Sequence, residues 1–428
     1  MVYIRGFLGL LFLLSISYLL SRDRRAIDWK LVSIGIGLQI TFGLLITRVP
    51  LVEDIFSLIS RGFVRLLGFS GDGAEFLFNG LATNDLGYIF AFRVLPTVIF
   101  FASISTGLYY LGILQKVVKG IAWVMVRTMR LSGAESLSVA GNIFLGQTEA
   151  PLLVKPFISK MTTSELMCLM TGGMATIAGG VLAGYVTFLG GDDPVEQARF
   201  AAYLLSASIM NAPAAIVMSK MLIPEKEFDK IDKNLAVSSE QMGVNLIDAL
   251  SRGASEGLKL ALNIGAMLLA FIAIIYLLNF ILRDLIGDWT GLNTLIINDT
   301  NGQFNGLSLE YILGQLFRLF AFAIGTDWQD ALQVGSLIGQ KTVINEFVAY
   351  ENLSDILRQN SLSEKSVIIA TYALCGFSNF SSIAIQVGGI GGIAPNRQGD
   401  LSRLGMRALI AATLATMMTA TIAGALMS

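Results

Sequence analysis

The chain has 428 residues, of which 54% are apolar and only 14% charged, and its mean hydropathy is +0.67; a soluble domain carries about 45–50% apolar and about 25% charged residues, so the charge here is too sparse to cover a water-facing surface. Thirty Lys+Arg offset thirty-one Asp+Glu, which leaves no basic surface for nucleic acid, and the complete lack of histidine removes His-based catalysis, His metal sites and His proton relays. Two cysteines, Cys168 and Cys375, are too few for a disulfide framework or a four-ligand zinc site, and the composition as a whole predicts an all-α polytopic membrane protein.

Eight runs have the ~20 mostly apolar residues that a span needs. The first, 4–20, has Arg5 where a signal peptide has its basic n-region, but no small-x-small cleavage site comes after it. Arg22, Arg24 and Arg25 come instead, so it reads as a span. A second run follows at 31–47. Residues 51–68 predict an amphipathic helix lying in the interface plane. There Ile55, Leu58, Ile59, Phe63, Leu66 and Leu67 recur at helical spacing, with Arg61 and Arg65 elsewhere on the wheel. After a third span at 94–114, the stretch 115–131 is again amphipathic. It sets Lys116, Lys119, Arg127 and Arg130 on one stripe and Ile121, Val124 and Met125 opposite. A weaker case is 308–322. The remaining spans are 163–189, 198–222, 258–282, 364–388 and 404–427, and the polar 224–243 reads as a cytoplasmic connection.

Basic residues set orientation. Arg22, Arg24, Arg25 and Lys30 follow the first span, and Lys116, Lys119, Arg127 and Arg130 the third. Lys220, Lys226, Lys230 and Lys233 follow the fifth, and Arg397, Arg403 and Arg407 precede the last. Taking these as cytoplasmic places both termini outside, together with the acidic 284–300 loop. Trp29, Trp123, Trp289 and Trp328 sit near the predicted boundaries, as an aromatic belt would.

Two apolar regions are broken by polar groups. The first, 137–158, carries Asn142, Gly146, Gln147, Thr148, Glu149, Pro151, Lys155 and Pro156. Irregular backbone at membrane depth survives only where protein buries it or water bathes it. A re-entrant hairpin, with two short helical arms meeting around Gly146–Pro151, satisfies that condition. The second region, 323–350, contains Gly339-Gln340-Lys341 and then Asn345-Glu346. Each is followed by a span with a small, polar centre, Gly172–Gly180 and Cys375–Ser382, and then by a conventional span. This inverted repeat is a pattern of secondary transporters, whose sites lie where the interrupted segments meet. Tight packing of small residues explains the glycines but not the carboxylates. Glu149 and Glu346, one per repeat, are therefore functional candidates. Lys155 and Lys341 either snorkel or pair with a carboxylate near their hairpins.

At these residues the sequence resembles the concentrative nucleoside transporters. The motifs are Gly146-Gln147-Thr148-Glu149-Ala150-Pro151-Leu152-Leu153, Asn345-Glu346-Phe347-Val348-Ala349-Tyr350 and Cys375-Gly376-Phe377-Ser378-Asn379-Phe380-Ser381-Ser382-Ile383-Ala384. Ala175–Tyr185 also fits, and the resemblance covers about residues 30–427. It implies a bacterial, sodium-coupled member in the inner membrane. Such a protein would be a homotrimer with eight spans and two re-entrant hairpins per subunit, plus interfacial helices. A transport domain would slide against a scaffold in an elevator-like cycle. The implied base site is Gln147, Thr148 and Glu149, with Val181 nearby. The implied ribose site is Glu346, Asn379 and Ser382, bordered by Phe377. The implied sodium ligands are the Asn142 side chain, the Leu145 carbonyl, the Thr176 hydroxyl and the Ile177 carbonyl. Serine is common in the family where Thr176 stands, and the hydroxyl is kept.

The chemistry agrees with the resemblance. Gln and Thr side chains both donate and accept, as a base edge requires. A carboxylate accepts from vicinal ribose hydroxyls through charge-assisted bonds, and the four sodium ligands offer only oxygen. The chain then divides into spans one and two (1–50), a scaffold part with interfacial helices and the third span (51–136), and a first transport repeat (137–223). A connection with the long sixth span, external loop and interfacial helix (224–322) leads to a second repeat (323–428). The sequence predicts sodium symport of a uridine-like nucleoside, with no cofactor beyond the ion. Proton coupling through Glu149 or Glu346 is the alternative. A carrier for amino acids or dicarboxylates would call for an arginine, and neither hairpin tip nor either broken centre holds one. No nucleophile–base pair or phosphate loop suggests an enzyme.

Overall fold

Helices begin where side chains can accept from the free N–H groups of a first turn. In this computed structural model, which describes residues 2–83, 89–232 and 243–427, every regular element is helical. After α1 (Val2–Leu20), Asp28 opens α2 (Trp29–Arg48) by accepting from the N–H groups of Lys30 and Leu31. Pro50 occupies the first turn of α3 (Pro50–Phe78), where a missing N–H costs nothing. Next come α4 (Phe90–Tyr110) and α5 (Ile113–Met129), separated by Gly112 at φ +73°. Two capping boxes, Ser132/Glu135 and Thr162/Glu165, start α6 (Gly133–Gly141) and, after the single turn α7 (Lys155–Ile158), α8 (Thr163–Ala175). α9 (Gly179–Gly190) and α10 (Pro194–Leu222) complete the first half.

The second half opens with α11 (Leu246–Asn279), whose line continues through a π-helical stretch, Phe280–Gly287, into α12 (Asp288–Thr290). α13 (Leu292–Asp299) and α14 (Leu309–Ala323) lead to α15 (Ala331–Val343) and α16 (Glu346–Arg358). α17 (Glu364–Leu374), α18 (Phe380–Ile393) and α19 (Gln398–Leu426) close the chain.

Among the described residues seven helical segments are long and apolar enough to cross a membrane: Val2–Leu20, Trp29–Arg48, Phe90–Tyr110, Thr163–Gly190, Pro194–Leu222, Leu246–Thr290 and Pro395–Leu426. The run expected at 364–388 is divided into α17 and α18 by an irregular stretch, so neither part is long enough alone. The core lies around α8, α9, α10, α17 and α19, which are buried along most of their lengths. α11 is instead largely exposed, with Leu262, Leu269, Tyr276 and Leu277 outward. Its seam with α4 is made by small residues: a Cβ on Gly253 would stand 2.7 Å from the Ala102 carbonyl oxygen, and one on Gly257 2.8 Å from the Ile99 Cα.

Several expected details shift. All three amphipathic stretches are helices, but the first runs on to Phe78. In α5 the buried stripe is Val118, Ala122, Met125 and Met129, and Val124 faces out. The four tryptophans are exposed. The first hairpin region has one regular arm, α6; its other arm is a 3-10 turn (Ala150–Val154) and α7, because Pro151 and Pro156 lack the N–H groups that an α-helix would use. In the second region Gly339, Gln340 and Lys341 lie inside α15. The turn is at Ile344-Asn345, and the region extends past 350 to Arg358. Asn345 makes that turn by accepting from the N–H of Val348 at 3.0 Å.

Lys220 is not a free surface cation. It is buried at the end of α10, paired with Glu135 and bonded to the Ser164 hydroxyl at 2.9 Å, with Glu225 3.8 Å away. This ties the starts of α6 and α8 to the end of α10. Of the 224–243 connection, residues 233–242, including Lys233, lie outside the described residues.

Candidate functional site

Two helix breaks cross at the centre of the fold. Thr176 is extended between α8 and α9, and Cys375–Asn379 separates α17 from α18. The N–H of Phe377 donates to the Thr176 carbonyl at 3.3 Å. A Cβ on Gly376 would stand 2.8 Å from the Ala175 carbonyl oxygen, so only glycine permits this backbone approach. The loop after α6 joins them, since the N–H of Gly179 donates to the Phe144 carbonyl at 3.1 Å.

A line of hydrogen bonds runs through this crossing. Tyr185, on α9, donates its hydroxyl to Glu346 Oε1 at 2.9 Å, and Asn379 Nδ2 donates to Glu346 Oε2 at 2.8 Å. Asn379 caps α18 by accepting at Oδ1 from the Ser382 N–H, 2.9 Å, and from the Ser381 hydroxyl, 2.7 Å. Gln147, from the first hairpin region, donates to the Ser382 hydroxyl at 3.1 Å. Gln386 Nε2 then donates both to Gln147 Oε1 and to the Met170 carbonyl, each at 3.1 Å. Gln147, Glu346, Asn379 and Ser382, far apart in sequence, thus form one buried polar chain.

The other expected substrate residues stand around it. Val181 is buried in the first turn of α9, and Phe377 is half-buried beside the crossing. Thr148 is exposed and lies over Gly389, where a Cβ would be 3.1 Å from its methyl group. Glu149 is half-buried and folds back to accept from the Gly146 N–H at 2.7 Å. Lys155 is exposed, whereas Lys341 is buried and donates to the Ala373 carbonyl, 2.8 Å, and the Thr416 hydroxyl, 2.9 Å.

Of the expected sodium ligands, Asn142 and Thr176 both stand at Gly172, in the last turn of α8. Asn142 is fully buried; its Nδ2 donates to the Ser138 carbonyl at 3.0 Å, and its Oδ1 has no hydrogen-bond partner. A buried acceptor left unpaired costs about 1–3 kcal/mol, and a bound cation would satisfy it. Asn142 lies against Gly172, one turn before Thr176, whose hydroxyl donates to the Gly172 carbonyl at 2.9 Å and keeps its lone pairs free. Leu145 and Ile177 sit in irregular backbone, where carbonyl oxygens are not committed to helix bonds. These oxygens are what a hard cation takes. Among the described residues no group of three or more His, Cys, Asp or Glu could hold a metal.

Tyr185 and Gln386 were not singled out from the sequence. Each stands four residues after one that was, Val181 or Ser382, so helical periodicity places it on the same face.

Three family profiles match the chain. Residues 8–81 match the profile described as Na+ dependent nucleoside transporter N-terminus, 91–192 that of nucleoside recognition, and 203–424 that of Na+ dependent nucleoside transporter C-terminus. The uncharacterized transporter YutK of Bacillus subtilis is 41% identical, with 98% of this chain and 98% of that protein aligned. Sodium/nucleoside cotransporter 1 of Rattus norvegicus is 38% identical over 98% of this chain, which spans 63% of the rat protein. The structure of CNTnw in an inward-facing substrate-bound state superposes with a TM-score of 0.89 at 39% identity, covering 100% of this chain and 98% of that one. The chain therefore belongs to the concentrative nucleoside transporter family, the Na+-dependent nucleoside transporters, and is a transporter and not an enzyme.

Proposed function

We propose that this protein imports nucleosides by symport with sodium, in a subunit of eight spans and two re-entrant hairpins. The eighth crossing is the interrupted pair α17 and α18, and the hairpins are 133–158 and 331–358. The observation that carries the substrate assignment is the polar chain Gln147–Ser382–Asn379–Glu346. It joins both hairpins at the two breaks and presents amide, hydroxyl and carboxylate groups suited to a neutral, polyhydroxylated solute. Gln147, Thr148 and Glu149 with Val181 face the base. Glu346, Asn379 and Ser382 take the ribose hydroxyls, and Phe377 borders the ligand. A site built to bond hydroxyls rejects analogues that lack them, because its own buried groups are then left unpaired.

The unpaired Asn142 Oδ1 favours sodium over a proton, since a cation satisfies that oxygen and a carboxylate-borne proton would not. Asn142, Leu145, Thr176 and Ile177 hold the ion. Sodium and nucleoside share the first hairpin, so occupancy of one site organises the other. The basic residues put both termini outside the cytoplasm of a bacterial inner membrane. Exposed apolar α11 suits a scaffold that meets lipid and the other subunits of a homotrimer, against which the buried helices move as a transport domain.

Uptake of radiolabelled uridine into proteoliposomes, with and without an inward sodium gradient, tests this directly. Accumulation should follow sodium. Equal uptake driven by a pH step without sodium would overturn the ion assignment, and failure to accumulate any nucleoside would overturn the substrate.

A further inference from the structure

The end of α17 is a helix C-terminus buried in the protein interior. Its last carbonyls have no partner within the helix, and an orphan carbonyl at that depth is costly. Three side chains from elsewhere supply the missing donors. The Tyr350 hydroxyl donates to the Thr371 carbonyl at 2.9 Å, Lys341 Nζ to the Ala373 carbonyl at 2.8 Å, and Asn211 Nδ2 to the Cys375 carbonyl at 2.7 Å. Two of the three belong to the second hairpin region, one on each arm.

Lys341 is the amine among them. It is 1% exposed, and its second bond goes to the Thr416 hydroxyl of α19 at 2.9 Å. An amine at a helix C-terminus donates to the open carbonyls there and, when protonated, opposes the negative end of the macrodipole. Its place in the chain matters equally. Glu346 begins α16 just after the turn that ends α15, and Asn379 stands at the far end of the break that begins after α17. The Lys341–Ala373 bond therefore clamps together the two strands of chain from which Glu346 and Asn379 hang.

We infer that Lys341 is a positioning residue of the ribose half of the site, holding the second hairpin on the broken end of α17 so that Glu346 and Asn379 stay in register for a sugar hydroxyl. This rests on the assignment of Glu346 to ribose made above. It assigns Lys341 a role in selectivity, beyond filling the interior, and it explains why a lysine stands inside an apolar arm. Loss of the clamp should weaken recognition of ribose and leave the base contacts, which come from the first hairpin, unaffected.

The test uses the full chain in proteoliposomes, with uridine and 2′,3′-dideoxyuridine as paired substrates. Lys341→Met keeps the side-chain length and removes the amine and both bonds. Its KM for uridine should rise about tenfold, the size expected for a lost hydrogen bond, while that for the dideoxy compound stays unchanged. Thr416→Val, which keeps the lysine and removes one acceptor, should shift the ratio in the same direction by less, about threefold. Lys341→Arg should restore most of the preference. A Lys341→Met protein with the parental uridine-to-dideoxyuridine ratio, or with both substrates weakened equally, overturns the inference. If Lys341→Met does not assemble, an unchanged ratio in Thr416→Val overturns it. A parent protein that takes up the two substrates alike refutes the ribose assignment itself, which separates the two failures.

Discussion

Glu346→Gln isolates the charge at the centre of the polar chain. The carboxylate accepts from Tyr185 at 2.9 Å and from Asn379 at 2.8 Å and is 3% exposed. The introduced carboxamide has one accepting oxygen and one donating nitrogen. Asn379 cannot turn its own amide to meet that nitrogen, because Oδ1 already accepts at 2.9 and 2.7 Å from the Ser382 N–H and the Ser381 hydroxyl. The nitrogen must therefore face Tyr185, whose hydroxyl can accept. The oxygen faces Asn379, so the fold survives with neutral bonds. What disappears from the ligand is the charge on the bond to a ribose hydroxyl; the bonds to Asn379 and Tyr185 weaken in the free and the bound protein alike and do not enter the affinity. A bond to a charged group is worth about 1.5–3 kcal/mol against about 0.5–1.5 for a neutral one, so the loss is about 1–1.5 kcal/mol. At 1.4 kcal/mol per decade, uridine should bind about 5- to 12-fold more weakly, and uptake at low substrate should fall in proportion. Titration calorimetry in detergent measures the first and tracer uptake the second, with size-exclusion chromatography confirming unchanged assembly. A uridine Kd within about threefold of the parent's, a difference below ~1 kcal/mol, would refute the reasoning.

The remaining expectations concern the ion, the base and stability. Asn142→Ala should raise the sodium concentration for half-maximal uptake about tenfold, matching one lost ligand at about 1.4 kcal/mol; an unchanged sodium curve counts against the ion site. Gln386→Leu removes the donor that orients Gln147 and should weaken nucleoside binding by about 1–2 kcal/mol, leaving sodium affinity as it was. A parental Kd would show that Gln147 needs no such support. Lys220→Met strands Glu135 without its partner in a buried pocket and should cost about 3–5 kcal/mol, read as a lower thermal midpoint in detergent; an unchanged midpoint would mean that water reaches the pair. Burial pushes the Glu225 carboxyl up, but the Thr162 hydroxyl, the Glu227 and Lys226 N–H groups and the Lys220 ammonium together hold it below its ordinary 4.5. The stability it contributes is therefore present at neutral pH and lost as pH falls below that value through the folded pKa. Glu225→Gln should flatten the acid side of a stability–pH curve, and an identical curve would exclude the linkage.

Composition and the two broken motifs made the membrane class and the interrupted segments legible, because apolar runs and intramembrane carboxylates are signals carried by single segments. Glu346, Asn379, Gln147 and Asn142 could be picked out as residues that do not belong in a lipid-facing helix. What could not be read is which neighbour satisfies each. Tyr185 looks like an ordinary aromatic on an apolar helix, and Gln386 like one polar residue in a glycine-rich run. Their partners lie 161 and 239 residues away. For Lys341 the sequence left snorkelling and an ion pair both open, because its anchor, the end of α17, exists only once the fold forms. The extent of the second region was set by a local cap: Asn345 starts α16, which runs on to Arg358, while Gly339 and Gln340 stay inside α15. Lys220 counted as a topological charge, while three-dimensional pairing buries it.

The crossing of the two breaks is made by backbone alone. Phe377 N–H meets the Thr176 carbonyl, and Gly376 lies on Ala175, so the contact does not depend on which side chains line the ligand. On the site assignment proposed above, ion coupling and substrate choice are thereby separable. Changes at Gln147, Val181 or Gln386 can retune which base is accepted while the peptide units that join the sodium and nucleoside positions stay as they are. A fold of this kind can diversify its cargo without rebuilding its engine.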